Sequence, residues 1–127
     1  MIDLESRRDA LDVVDDQRGQ PMWSADVAAR LADLGPHAGR GASGVFHATS
    51  SGEASWYELA REVFTGPGTD PDRVRPVGSG AFPRPGPRPE YGVLAHDRRQ
   101  EPGLPPLRDR RSALYEALPP IRKESPA

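Results

Sequence analysis

Cysteine is absent from the 127 residues. Disulfides and thiolate metal sites are thereby excluded, and the redox compartment is left unconstrained. No long apolar run occurs, and the opening Met1-Ile2-Asp3-Leu4-Glu5 carries charge at once. Neither a signal peptide nor a membrane span is expected, and the expected location is cytoplasmic. An excess of one charge is missing too. The chain has 17 basic and 19 acidic residues, a net charge of −2. That balance gives no electrostatic case for binding nucleic acid or an anionic membrane. Apolar residues are sparse, at 35% with a mean hydropathy of −0.68. A core can form, but a thin one. A domain of this size buries only about two-thirds of the surface its unfolded chain exposes.

Proline and glycine are plentiful. With 15 and 13 copies they make up more than a fifth of the chain. Such a composition fits a piece that leans on a larger partner domain, and it also fits a partly disordered chain. Length allows one small domain.

Residues 1–10 read as the tail of a helix with no capping residue in front. Leu11 to Val14 is a short strand of apolar and β-branched residues. Ser24 is placed to cap the next helix, over residues 25–34. There Val27, Leu31 and Leu34 form one apolar stripe, and Gly35-Pro36 ends it. Residues 35–44 hold four glycines and read as a flexible loop. Val45-Phe46-His47-Ala48 reads as the second strand. Ser55-Trp56-Tyr57-Glu58 is a capping box, opening a helix that runs to about Phe64 and breaks at Gly66-Pro67-Gly68. On helical spacing Trp56 and Tyr57 belong to the core. Residues 73–77 read as an edge strand, because Pro76 has no N–H for a ladder. Pro83, Pro85, Pro87 and Pro89 make the stretch from Gly78 onward an extended loop wrapped over something. Asp109 is placed to cap a last helix, which Pro119-Pro120 stops. The expected domain is residues 1–118, with 119–127 a disordered tail. His37, His47 and His96 have no ligand spacing and receive no role.

The chain is organised around Val13-Val14-Asp15-Asp16-Gln17-Arg18-Gly19-Gln20-Pro21-Met22-Trp23. A short strand stops at a polar Gly/Pro turn, and a helix follows directly. A loop held by rigid elements on both sides fixes where its side chains point. It offers carboxylates, amides, a guanidinium and an aromatic face, an inventory suited to a polar, ring-bearing ligand. The same residues also describe a plain solvated turn. Asp15-Asp16-Gln17 has groups for sugar hydroxyls or for a divalent ion such as Mg2+, although acids this close more often face water.

Three blocks carry a resemblance. The first is Val13 to Trp23. The second is Gly44-Val45-Phe46-His47 through Gly52 to Ser55-Trp56-Tyr57-Glu58-Leu59-Ala60. The third is Arg88-Pro89-Glu90-Tyr91-Gly92-Val93-Leu94. In order and spacing they resemble the C-terminal, substrate-binding part of dTDP-4-dehydrorhamnose reductase, of the extended short-chain dehydrogenase/reductase superfamily. There the first block reads Val-Val-x-Asp-Gln-x-Gly-x-Pro-Thr and the third Arg-Pro-x-x-Ser-x-Leu. The likeness covers most of this chain but well under half of a family enzyme.

The resemblance implies an α/β fold: a small mixed substrate-binding lobe of about three helices and a few short strands. In the family this lobe caps a Rossmann sheet. The implied substrate-binding residues are Asp16, Gln17, Gly19, Pro21, Trp23, Arg88 and Pro89. Arg88 is the strongest of these, because a guanidinium suits a diphosphate. Met22 and Gly92 replace the family's threonine and serine, so two hydroxyls are lost.

The implied activity of the full enzyme is reduction of dTDP-4-dehydro-6-deoxy-L-mannose to dTDP-L-rhamnose with NADPH. This chain has no glycine-rich turn after a first strand to seat a pyrophosphate. Nor does it have the family's tyrosine with a lysine four residues later, since its one lysine is Lys123 and position 119 is proline. No catalytic residue and no bound cofactor are therefore expected in it. A dTDP-sugar, a separate Rossmann half and a second copy of the chain are the expected partners. Two other readings remain open: a non-catalytic binding or regulatory module, and a decaying gene fragment.

Overall fold

The computed structural model describes residues 8–41, 43–66, 68–96 and 107–124. Most of the helix tail expected at the start lies outside them. Among the described residues six short strands and three α-helices follow in order. They are β1 (Leu11–Val14), β2 (Arg18–Gly19), α1 (Ser24–Ala38), β3 (Ser50–Ser51), β4 (Ala54–Ser55), α2 (Trp56–Thr65), β5 (Val74–Val77), β6 (Leu107–Asp109) and α3 (Arg110–Glu124). The small mixed α/β lobe expected from the sequence is what forms.

Strands pair two by two. β1 and β5 are parallel, with Leu11 opposite Val74 and Val14 opposite Val77. β2 and β4 are antiparallel, and β3 and β6 are parallel. Helix α2 lies against the β1–β5 ladder. Its inward residues Ala60, Val63 and Phe64 meet Val74 and Leu118, and Leu11, Val13, Tyr57 and Leu114 pack around them. This is the thin core that the composition implies. Gly66 lets α3 close on it, since a Cβ there would sit 2.9 Å from Leu118 Cδ1.

The capping box forms as the sequence spells it. Glu58 N–H donates to Ser55 Oγ at 3.1 Å, and Ser55 N–H donates to Glu58 Oε2 at 2.9 Å. Ser55 Oγ also donates to Asp15 Oδ1 at 2.5 Å. The cap thus ties α2 to the loop after β1. Ser55 is buried, so Ser55→Ala orphans an amide and a carboxylate together. A loss of about 1–2 kcal/mol is expected in urea unfolding. An unmoved midpoint would remove Ser55 from this role.

Several expectations fail, each for a local reason. Ser24 is the first residue of α1 rather than its cap. Trp23 holds the cap position and makes no side-chain bond there. α1 also runs through Gly35 and Pro36 to Ala38, so the flexible loop expected from residue 35 begins later. Proline removes one ladder bond, but Ala32, whose carbonyl loses it, is exposed, so that carbonyl is not buried without a partner. α3 passes Pro119 and Pro120 in the same way, since Tyr115 and Glu116 are exposed and Leu118 anchors the turn. Residues 119–124 of the expected tail are therefore helical, and 125–127 lie outside the described residues. Residues 45–48 are not a strand. Val45 is 72% exposed, and the pairing falls instead on Ser50–Ser51, where β6 supplies a partner. Asp109 does cap α3, accepting from Arg111 N–H at 2.9 Å. The edge strand is confirmed as β5.

Candidate functional site

The Val13–Trp23 stretch holds one long segment from three positions, Asp16 and Gln20 through their side chains and Arg18, in β2, through its backbone. Asp16 Oδ2 accepts from Ser79 N–H at 2.8 Å and from Ser79 Oγ at 2.9 Å. The Arg18 backbone donates to Glu90 O at 2.8 Å and accepts from Gly92 N–H at 2.9 Å. The Gln20 amide brackets Leu94, accepting from its N–H at 2.8 Å and donating to its carbonyl at 3.3 Å. Farther on, Thr49 Oγ1 lies 2.5 Å from His96 Nε2. Residues 78–96 are therefore a strap, fastened at both ends.

Arg18 also joins the strap to α2. Its guanidinium meets Glu53 at 3.0 Å and Glu58 at 3.1 Å, and the Tyr91 hydroxyl donates to Glu53 at 2.8 Å. The Ser55 N–H and then Arg18 hold the Glu58 carboxyl below its ordinary range. Tyr91 and then Arg18 do the same for Glu53, and the Ser79 N–H does so for Asp16. These groups accept hydrogen bonds best when ionised. Their contribution is present above the ordinary carboxylate range and is lost as pH falls through their lowered values.

Between strap and loop lie two adjoining cavities of about 610 and 420 Å3. Gln17, Trp56 and Arg88 border both. Phe82, Arg84 and Glu90 are among those that border the larger alone. Gly19, Pro21, Met22, Leu59 and Pro89 border the smaller, together with Arg18 and Gln20. Five of the residues singled out from sequence thus meet at one groove: Gln17, Gly19, Pro21, Arg88 and Pro89. Asp16 does not border it, and acts on the wall through Ser79. Trp23 does not border it either. Its ring lies 5.3 Å from the Arg108 guanidinium, which also pairs with Asp26 at 2.9 Å and with Glu116. Trp23 is a joint between α1 and β6.

Trp56 corrects the sequence reading. It is the first residue of α2, is 47% exposed and borders both cavities. Tyr57 alone of the pair packs on the core. Phe82 and Arg84 were also missed. Their signal was an aromatic and a cation inside a proline-rich stretch with nothing of its own to pack.

Asp15 and Asp16 turn to different partners, Ser55 and Ser79. No group of three His, Cys, Asp or Glu placed for a metal occurs among the described residues. Gly39 and Gly41 follow a helix rather than a strand, and the next helix begins only at Trp56. No described helix is long and apolar enough to cross a membrane.

The RmlD substrate binding domain family matches residues 1–122. The chain belongs to that family. A probable dTDP-4,6-dihydroxy-2-methyloxan-3-one 4-ketoreductase of Streptomyces antibioticus is 55% identical to this RmlD-type domain, over 95% of this chain and 40% of its own length. A dTDP-4-dehydrorhamnose reductase of Streptomyces griseus is 50% identical, again over 95% and 40%. The crystal structure of a dTDP-4-dehydrorhamnose reductase from Clostridium acetobutylicum superposes with a TM-score of 0.84 at 31% identity, covering 95% of this chain and 42% of that one. The domain therefore spans about 40% of the length of the relatives it matches.

Proposed function

We propose that this domain supplies the sugar-nucleotide side of a dTDP-4-keto-6-deoxy-sugar reductase, with dTDP-4-dehydro-6-deoxy-L-mannose as the substrate. The observation that supports it is the groove, where residues from all three motif blocks converge around Gln17, Trp56 and Arg88. Gln17 offers an amide to sugar hydroxyls, Trp56 offers a flat face, and Arg88 offers a guanidinium to phosphate. Gly19, Pro21 and Pro89 shape the floor and rim. Asp16 positions the wall.

Hydride transfer requires the nicotinamide held against the ketone, with a proton donor in reach. Those tasks belong to a Rossmann half. Helix α1 presents Leu31 at 60% exposure and buries no residue of its own, which suits a face meant to dock on such a half.

Calorimetry with dTDP tests the reading. The wild-type chain should bind, and Arg88→Ala should weaken binding by about 1.5–3 kcal/mol, the worth of a charged hydrogen bond. No heat at millimolar dTDP would end it.

A further inference from the structure

The strap carries a second cation that the resemblance does not assign. Its middle reads Pro83-Arg84-Pro85-Gly86-Pro87-Arg88-Pro89, so each arginine sits between two prolines. A residue before proline is confined to extended backbone, and proline itself fixes φ. Both arginines therefore lose little backbone freedom when a ligand arrives. The chain bends at Pro85 and Gly86, between them, and Arg84, Gly86 and Arg88 border the larger cavity.

Their partners set them apart from the other arginines of the site. Arg18 is spent on Glu53 and Glu58. Among the described residues, neither Arg84 nor Arg88 has a hydrogen bond or an ion pair, and both are exposed. A guanidinium left unpaired on a rigid wall is a donor set waiting for an anion. The same cavity also holds Asp12 and Glu90. Its lining thus has no excess of positive charge, and a general field does not explain anion capture there. Local pairing by two forks does.

We propose that Arg84 closes with Arg88 on the two phosphates of a nucleoside diphosphate, one guanidinium toward each. This rests on the sugar-nucleotide reading above and deepens it. Arg88 borders both cavities, which puts it at the junction. Arg84 belongs to the larger alone, so the outer phosphate falls to it. The clamp selects diphosphates over monophosphates, because a single phosphate reaches one fork only.

The test is calorimetry on the full chain with two probes, dTDP and dTMP, for wild type and Arg84→Ala. Arg84 is exposed and makes no hydrogen bond or ion pair among the described residues, so the variant's circular dichroism and thermal midpoint should match wild type. Exposed charge pairs are modest, so the expected loss is about three- to tenfold for dTDP. For dTMP it is less than about twofold, since one fork remains. Wild-type binding of dTDP with no change in Arg84→Ala overturns the clamp and leaves the sugar-nucleotide reading standing. Equal losses for dTDP and dTMP overturn it as well, by showing a general charge effect. Failure of the wild-type chain to bind dTDP overturns both.

Discussion

Phe64→Ala is expected to remove about 3–5 kcal/mol of folding stability, the cost of truncating a large aromatic side chain in a filled site. Phe64 is 1% exposed, and it is the largest fully buried side chain among the described residues. It sits where α2, β5 and α3 meet, with Val63, Val74 and Leu118 around it. The Arg73 guanidinium lies over its ring at 5.5 Å. Small domains have about 5–15 kcal/mol in total. The loss is therefore a large share, and the variant should show a much lower urea midpoint or no cooperative transition. Tryptophan fluorescence and circular dichroism followed together would show it. A shift below about 1 kcal/mol would mean that the core lies elsewhere.

Arg110→Met is expected to cost about 3 kcal/mol, through a different mechanism. Arg110 is only 7% exposed. Its guanidinium forks onto Glu62 at 2.6 and 3.1 Å and donates to the Glu53 carbonyl at 2.8 Å. Removing it leaves a carboxylate with 14% side-chain exposure short of two donors. Breaking a buried pair costs about 3–5 kcal/mol. The exposed Arg111, at 2.8 Å from Glu62, retains one bond and holds the cost toward the lower figure. The double variant Arg110→Met, Glu62→Leu should then recover at least about half the loss, because no charge is left unpaired. Additive losses in the double-mutant cycle would sink this account.

What the sequence made legible follows the range of the forces involved. Ser55 and Glu58 are three residues apart, so their box could be read directly, and it forms. β1 and β5 announced themselves by β-branched residues and Pro76. Residues 45–48 have the same local look as β1, yet among the described residues no partner strand comes beside them. Strand pairing is set by what lies across the ladder, and a single sequence does not list that. The helix ends were misread because Gly35-Pro36 and Pro119-Pro120 are breakers only where the lost bond cannot be given to water.

The site divides in the same way. Gln17, Gly19, Pro21, Arg88 and Pro89 were found by motif and do meet at the groove. Asp16 and Trp23 belong to the same motif but hold the frame. Only the positions of Ser79, 63 residues from Asp16, and Arg108, 85 residues from Trp23, distinguish them from the rest. Trp56 was assigned to the core on periodicity, and periodicity does not say which turn of a helix has a neighbour to pack against.

The proline pairs flanking Arg84 and Arg88 carry one consequence for the life of the chain outside the reaction. Exposed loop tips are where proteases nick a folded protein. The middle of the strap is exposed throughout, and two arginines would ordinarily make it the first cut for a trypsin-like enzyme. Both arginines are followed by proline, as is Arg75. A tertiary amide on the leaving side, with its ring against the preceding residue, fits such an enzyme poorly. The groove's outer wall is thus open to ligand and closed to digestion, and limited proteolysis will leave it whole while trimming elsewhere.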